Sequence, residues 1–340
     1  MRRMTKIIAA IALCFAALTS CRHKELCLHH PHTVTLRVEF DWRDAPEADP
    51  RGMCVSFYSM ETGGRHRFDF SNTKGGEIQL RVGRYRAICH NNDTESMLFY
   101  NADDFETYGT YTRESNVLKP IFGNGANYAP KAEGTEEERA VLTPDMMWGC
   151  CAFDIEVTDD GVEYVCVPYS EYVSRSAPMM SNQEHTITLY PHELTCIYTY
   201  EVRNVKNLKH LSQMCGTLSG MSGMLTFFNE KLHEECVTLP FESFSDGVST
   251  VTGKFYTFGH HQDNDEPHKT TFYVVMDDGA KYCYKDTEAL DVTKQVHEAP
   301  NPRRVHIIID GLELPQPIEN GHGFRPEVDD WVVEEHDIIL

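Results

Sequence analysis

The sequence lacks the motifs that would identify a nucleotide-binding enzyme or a zinc protease. It has no Walker loop, no His-Glu-x-x-His segment and no Gly-x-Gly-x-x-Gly segment after a predicted strand. Basic residues are scarce: 31 Lys and Arg stand against 52 Asp and Glu, for a net charge of −21. Because nucleic-acid binding needs a concentrated positive surface, this balance disfavours nucleic acid as a partner.

A serine nucleophile in a Gly-x-Ser-x-Gly turn is also missing. The nearest approach is the segment Leu218–Gly223, in which neither Ser219 nor Ser222 has small residues both two before and two after it. We interpret this segment as a Gly- and Ser-rich turn after a helix. Carboxylate pairs arise by chance in so acidic a chain, so no general acid and base can be assigned. We therefore predict that the protein is not an enzyme and that it uses no cofactor.

Long apolar runs are absent except near the start of the chain. Three basic residues precede the apolar run Ile7–Leu18, which ends at the tetrapeptide Leu-Thr-Ser-Cys. A run of this length is shorter than the roughly 20 residues that a helix needs to cross a bilayer, and the order of regions is typical of a secretory signal. The tetrapeptide resembles the lipobox of bacterial lipoproteins, which implies that residues 1–20 are a removed signal peptide and that Cys21 is lipidated.

The predicted lipid on Cys21 would anchor the protein to a membrane. Several acyl chains on one residue hold a protein stably, whereas a single chain anchors it only marginally. We predict an outer membrane lipoprotein on the periplasmic or cell-surface face, with residues 21–32 as a tether between the lipid and the body. The membrane is thus a predicted partner through Cys21.

The remaining cysteines do not form a recognisable motif. No Cys-x-x-Cys segment occurs, so neither a zinc knuckle nor a thioredoxin-type redox site is supported. Ten cysteines are left when Cys14 and Cys21 are set aside, and an even number in an exported chain leaves a disulfide framework open. Their irregular spacing, with several inside apolar strand-like runs, favours mostly buried free thiols.

Alternation of apolar and polar residues is the dominant pattern of the body. It is clearest from Val34 to Phe40, and turn-forming segments separate the later runs. Further strands are predicted at Met53–Tyr58, Arg67–Phe70, Glu77–Val82, Tyr85–His90, Ala152–Val157, Glu163–Val167, His185–Tyr190, Leu194–Val205, Met224–Phe228, Cys236–Leu239, Ser249–Phe258, Thr270–Met276, Lys281–Tyr284, Arg304–Ile309 and Trp331–Leu340.

These strands predict a mostly β protein with two domains, since the chain exceeds one typical core. We place an N-terminal β-sandwich at residues 33–190, with a long surface loop at 92–148, and a C-terminal β-sandwich at 191–340. One short helix is predicted in the second domain at Asn207–Met214, where Leu208, Leu211 and Met214 have helical spacing.

One segment is dense in metal-ligand side chains. Its members lie between two predicted strands and are His260, His261, Asp263, Asp265 and His268. Imidazoles and carboxylates could ligate zinc or calcium, but the spacing of a calcium-binding EF-hand loop is not met. We favour a solvated polar hairpin loop here and predict no metal, keeping these residues as weak candidates.

Several segments resemble a known family. Cys21–Cys27, His30–Val34 and Phe40–Arg43 are similar to a group of Bacteroides-type lipoproteins, catalogued as a domain of unknown function among the fimbrillin-like proteins. Val82–Asn91 and Pro144–Gly149 support the resemblance. It implies two tandem transthyretin-like antiparallel β-sandwiches, as in pilus subunits and their membrane anchors, and pilin-like subunits as partners.

The resemblance also implies a mechanism of assembly by strand exchange. Polymerising subunits lose their first strand to a protease that cuts after a basic residue, here Arg37 or Arg43, and accept a strand from the next subunit. We favour an anchor or accessory subunit that keeps the strand, because cleavage would separate the body from the lipid on Cys21.

An alternative function is a surface module that binds a glycan or a host protein. The predicted loop at residues 92–148 is rich in aromatic side chains, which can stack on sugar rings or pack the loop against the body. These side chains are Tyr100, Phe105, Tyr108, Tyr111, Phe122 and Tyr128.

Overall fold

The computed structural model describes residues 33–125, 128–167, 169–174, 181–183, 185–316 and 331–334. The predicted signal peptide, Cys21 and the tether lie outside these ranges. Within them the chain is mostly β, as the alternation predicts. None of the helices in these ranges is long and apolar enough to cross a bilayer.

Twelve strands come from the first half of the chain. They are β1 (Thr33–Phe40), β2 (Met53–Ser59), β3 (Arg65–Phe70), β4 (Gly75–Arg81), β5 (Gly83–Asn91), β6 (Met97–Tyr100), β7 (Gly109–Thr112), β8 (Arg139–Ala140), β9 (Trp148–Thr158), β10 (Gly161–Val165), β11 (Ser181–Gln183) and β12 (Thr186–Leu189). Two short helices, α1 (Lys119–Phe122) and α2 (Tyr169–Ser174), interrupt them.

The second half contributes the other strands and one further short helix. They are β13 (His192–Glu193), β14 (Cys196–Lys206), β15 (Leu211–Ser222), β16 (Met224–Thr226), β17 (Lys231–Leu232), β18 (Cys236–Glu242), β19 (Phe244–Ser245), β20 (Val251–Thr257), β21 (Thr270–Met276), β22 (Lys281–Tyr284), α3 (Thr293–His297), β23 (Arg304–Glu313) and β24 (Val332–Glu334).

A first core lies between a three-stranded and a seven-stranded sheet. In the smaller sheet β1 is the middle strand, parallel to β12 and antiparallel to β4. The larger sheet runs β11-β10-β9-β5-β2-β3, and β13 also pairs with β9. Alternate side chains of β1 point into this core, which explains the period-two pattern of its sequence.

A second core lies between a four-stranded and a six-stranded sheet. The smaller sheet runs β19-β20-β14-β23 and the larger runs β24-β22-β21-β15-β18-β8. Aromatic rings fill the space between them: the Tyr200 ring centroid lies 4.7 Å from that of Phe241 and 6.0 Å from that of Phe272. Each half thus buries its own hydrophobic cluster between two sheets. We call the pair of sheets around the first core the first sandwich and the pair around the second core the second sandwich.

The predicted antiparallel pairing holds for most strands but not for all of them. Among the described strands four pairs are parallel: β1 with β12, β14 with β23, β18 with β8, and β22 with β24. In both halves an early strand, β1 or β14, lies between an antiparallel neighbour and a late strand that runs parallel to it. The pattern of alternation predicts which residues face the core, but it carries no information about the partner strand.

The segment at residues 92–148 lies between the two halves. Its strands β6 and β7 form a four-stranded sheet with β16 and β17, and β8 pairs with β18. A separate hydrophobic cluster fills this junction and includes Met97, Phe105, Tyr108, Leu225 and Phe227. The segment therefore contributes strands to sheets of the second half as well as to the junction.

The helix predicted at Asn207–Met214 is wrong. Asn207 has a φ of 59°, one 3-10 turn follows at Leu208–His210, and the chain then enters β15. Both faces of β15 are largely buried, so its residues do not show the alternation of a half-buried strand. The segment Leu218–Gly223, predicted as a turn, comprises the last residues of β15 and the glycine after it.

Candidate strand-pairing site

Strand β1 is the strand that the family resemblance predicts to be exchanged, and it is paired on both sides. Val38 lies opposite Ile187 of β12 on one side and Gly76 of β4 on the other. Gly75 has a φ of +92°, and a Cβ there would lie 2.0 Å from the carbonyl oxygen of Val38. A glycine is needed for β4 to approach β1 so closely. Within the described residues, the middle position of the first sheet is therefore occupied by the chain's own strand β1.

The two candidate cleavage residues lie in different settings. Arg37 is inside β1, and its exposed guanidinium lies 2.7 Å from Glu39 Oε1. The peptide bond after Arg37 has a paired strand on each side, so β1 would have to leave the sheet before a protease could bind it. Arg43 lies in a 3-10 turn after β1, where its guanidinium forms an ion pair with Asp41 and its Cζ lies 4.8 Å from the centroid of the Tyr190 ring.

Strand β23 is at the edge of its four-stranded sheet within the described residues. The side chain of Gln295, on α3, covers this edge at Ile308. Its Nε2 donates to the Ile308 carbonyl oxygen at 2.9 Å, and the Ile308 N–H donates to Gln295 Oε1 at 2.8 Å. A side-chain amide thus makes the two hydrogen bonds that a neighbouring strand would make. Such a cap protects an edge from unwanted pairing.

Replacing Gln295 with alanine is expected to expose this edge. The variant should lose about 1 kcal/mol of unfolding free energy, because two backbone groups lose their partner, and should self-associate more with rising concentration. Analytical ultracentrifugation and urea unfolding measure both effects. The matched control is Lys294→Ala, whose side chain is 82% exposed. Equal behaviour of the two variants would show that Gln295 does not protect β23.

The segment from His260 to His268, which contains the candidate metal ligands, is not the hairpin loop that its sequence suggests. Strands β20 and β21 belong to different sheets, so the segment crosses from one sheet of the second sandwich to the other. His268 is fully buried and His260 half-buried, whereas Asp263 and Asp265 are exposed. Hydrophobic patterning cannot distinguish a hairpin from a crossing of this kind when both join two amphipathic strands.

The structure brings two of the candidate metal ligands together with a third histidine. Nitrogens of His260, His268 and His297 all lie within 4.8 Å of one another, whereas His261, Asp263 and Asp265 stand outside this group. His297 is the last residue of α3 and lies far from the others along the chain. Spacing rules search one local segment, so sequence reasoning missed it.

Burial keeps two of these imidazoles neutral at neutral pH. It lowers the pKa of His268 to about 4, although a hydrogen bond with the Ser219 carbonyl opposes the effect. Burial also lowers the pKa of His260, and the neighbouring His297 adds to that shift. A neutral imidazole has a free nitrogen lone pair, which is the form that binds a metal.

The nine described cysteines are free thiols, as favoured by their sequence setting, and Cys27 lies outside the described residues. Cys89 and Cys150 face each other on β5 and β9 with their sulfurs 3.3 Å apart, and the Cys166 sulfur is 4.0 Å from that of Cys150. These thiols line a cavity of about 210 Å³.

Another cysteine, Cys54, is buried in β2. Burial raises the pKa of its thiol to about 12, so that thiol is not a nucleophile at neutral pH.

Most aromatic side chains proposed as a sugar-stacking surface are packed inside the molecule. Phe105 and Tyr108 are buried, and Tyr100 and Tyr111 are partly buried. Phe122 makes an edge contact with Trp331. Of the six, only Tyr128 is largely exposed, at 86%. The segment uses these rings chiefly to hold the junction together.

Comparisons with known proteins place these features in a family. A family model described as a domain of unknown function (DUF5119) matches residues 20–242. The curated protein "Putative fimbrium anchoring subunit Fim4B" of Bacteroides ovatus is 28% identical over 131 residues, which cover 38% of this chain. The matched region spans only 35% of that relative's length.

One solved structure supports the fold. The crystal structure of "a putative adhesin" from Bacteroides ovatus superposes with a TM-score of 0.54 at 17% identity, covering 84% of this chain and 95% of the other. The fimbrial anchor protein Mfa2 from Porphyromonas gingivalis gives a TM-score of 0.44 at 12% identity, covering 82% and 91% of the two chains. Because the family model matches more than half of the sequence, the chain belongs to the DUF5119 family, as its N-terminal residues led us to expect.

Proposed function

We propose that this protein is an anchor or accessory subunit of a fimbria-like surface structure. Lipid on Cys21 holds it in the outer membrane, its two sandwiches are transthyretin-like, and it binds a pilin-like subunit by pairing β-strands. Membership of the DUF5119 family and the likeness to a protein named as a fimbrium anchoring subunit support this role.

The observation that carries the proposal is the position of β1 inside the first sheet. Val34, Leu36, Val38 and Phe40 are all buried, and the strand has a paired neighbour on each side. A chain that keeps this strand has no vacant position there for a strand from another subunit. It also stays connected to Cys21, which an anchor requires.

The partner then needs another edge, and we propose β23. This strand has ten residues, and its alternate side chains are exposed on one face. An incoming strand would displace Gln295 and take over its two hydrogen bonds with Ile308. Main-chain pairing of this kind supplies affinity with little dependence on sequence, while side-chain pockets supply specificity. The cap would keep the edge unavailable until the partner arrives.

A photo-crosslinking side chain at Ile308 tests this arrangement in the envelope of the source bacterium. Ile308 is 37% exposed at the edge of its sheet. We expect ultraviolet light to link it to a pilin-like β-sandwich protein identified by mass spectrometry. The matched control is position 252, where Thr252 is exposed on the central strand β20 and has paired neighbours on both sides.

Two outcomes would contradict the proposal. Position 308 would form no link to another envelope protein, or positions 252 and 308 would link to the same proteins with equal yield.

A further inference from the structure

We propose that His260, His268 and His297 form a binding site for a divalent transition-metal ion, with Zn²⁺ as the best match. The three side chains come from different parts of the second sandwich. His260 follows β20, His268 precedes β21 and His297 ends α3. The fold therefore assembles the cluster, in which the donor nitrogens lie within 4.8 Å of one another.

The buried histidine of the cluster, His268, already carries its proton on the nitrogen that leaves the other one free to bind a metal. His268 Nδ1 lies 3.1 Å from the Ser219 carbonyl oxygen, which can only accept a hydrogen bond. Nδ1 must therefore carry the proton, and the lone pair is left on Nε2. A backbone carbonyl commonly fixes metal-binding histidines in this way through the nitrogen that does not bind the metal.

The free nitrogen of His268 faces its neighbour at a suitable distance. His268 Nε2 lies 3.0 Å from His297 Nε2. Two nitrogens bound to one tetrahedral zinc ion at 2.0–2.1 Å are roughly 3.3 Å apart, so a small movement admits the ion. His260 stacks on His297 with ring centroids 4.8 Å apart, and its ring must turn from this stack to supply the third nitrogen.

The backbone is shaped for the buried imidazole. Gly220, near the end of β15, has a φ of +75°, and a Cβ at this position would lie 2.7 Å from His268 Nδ1. Any larger residue would push the ring away from Ser219 and out of the cluster. A glycine at this point thus permits the contact that sets the protonation of His268.

The donor set indicates the class of metal. Three imidazoles contain no carboxylate, and oxygen-seeking ions such as Ca²⁺ and Mg²⁺ are bound through oxygen ligands. Nitrogen donors suit Zn²⁺, Cu²⁺ and Ni²⁺. Three histidines leave one tetrahedral position for water, and the exposure of His297 places solvent next to the cluster.

A bound ion would link two features of the second sandwich. It would join the crossing between β20 and β21 to α3, the helix that also carries Gln295. Because Gln295 caps the edge of β23 from that helix, the ion would hold the cap in place. Occupancy of the site would therefore stabilise the closed edge.

The test is titration of the full chain, purified in detergent without a histidine tag, with ZnCl₂ against a chromogenic chelator. The tether contains His23, His29, His30 and His32, which could bind metal by themselves, so the measurement is made with these four changed to glutamine. We expect one Zn²⁺ per chain. Co²⁺ should bind at the same site and give the visible absorption bands of a tetrahedral ion.

His297→Gln is the decisive variant, because an exposed side chain can be changed without disturbing the core. We expect it to weaken Zn²⁺ binding about tenfold or more, since one of three protein ligands is lost. His261→Gln is the matched control in the same segment and should bind as tightly as the parent. Circular dichroism establishes that both variants are folded.

Three results would overturn the proposal. The parent would bind no stoichiometric Zn²⁺, His297→Gln would bind as tightly as the parent, or His261→Gln would weaken binding as much as His297→Gln. His260→Gln provides a second, independent variant should His297→Gln alter the fold.

Discussion

Replacing Leu36 with alanine is expected to lower the free energy of unfolding by about 3 kcal/mol, because the change leaves a cavity between two sheets. Leu36 is 1% exposed and lies opposite Ile78 of β4 in the middle strand of its sheet. It packs in the hydrophobic cluster that both sheets of the first sandwich share. The shift of the urea midpoint, followed by circular dichroism, measures the effect.

The neighbouring residue supplies the control. Thr35 belongs to the same strand but faces solvent, so Thr35→Ala should change the free energy of unfolding by less than about 0.5 kcal/mol. Similar losses from the two variants would mean that β1 does not sit in the sheet with the register described here. The assignment of β1 as a retained strand would then fail as well.

The second large effect is a loss of stability in acid that depends on His90. This residue of β5 lies in the junction, with its ring stacked on Phe99 and Phe227. Its Nδ1 lies 2.7 Å from the Asn91 carbonyl oxygen and its Nε2 2.9 Å from the Tyr108 hydroxyl. The neutral imidazole can form a hydrogen bond with each of these groups, since Nδ1–H donates to the carbonyl oxygen and Nε2 accepts from the hydroxyl.

Burial lowers the pKa of His90 from 6.5 to about 4. Between these pH values the unfolded chain binds a proton that the folded chain does not, so acidification favours unfolding. The stability contributed by the neutral ring is complete above about pH 6.5 and is lost as the pH falls toward 4. The loss amounts to about 3 kcal/mol.

Urea unfolding of His90→Gln and of the parent between pH 7 and pH 4 measures this contribution. The buried His268, whose pKa is also about 4, contributes to the profile of both proteins, so the difference between them isolates His90. We expect the variant to lose about 3 kcal/mol less than the parent over this range. His66→Gln, at an exposed position on β3, should reproduce the parent profile. A parallel shift of the whole His90→Gln profile, with no change in slope, would contradict the prediction.

The sequence predicts the strands better than their arrangement. Strands β21 and β22 begin and end where their runs of β-branched and aromatic residues and the turn between them predict, and β1 differs by a single residue. Strand β15 was missed because burial on both faces removes its alternation and because Gly216 and Gly220 within it are residues typical of turns. Residues such as Leu208, Leu211 and Met214 then match a helical period by chance.

The candidate sites were likewise predicted only in part, since local patterns identify single segments but not the contacts between them. A local pattern identified His260 and His268, but His297 joins them only because α3 packs beside the crossing between two sheets. Gln295 likewise has no sequence signal, since a polar residue on a one-turn helix is ordinary until its contact with Ile308 is known. Contacts between distant segments depend on the packing of the sheets, which local patterns do not encode.

The place of β1 between two neighbours determines how the body responds to mechanical force. A pull on the chain before Thr33 along the axis of β1 would slide this strand past both of its neighbours, β12 and β4. All the hydrogen bonds on both sides of β1 then resist the force at the same time, in shear. If an edge strand were pulled away sideways, its hydrogen bonds would instead break one after another. A protein tethered through this end should therefore extend only at high force, while a pull applied through β23 would encounter a single hydrogen-bonded neighbour.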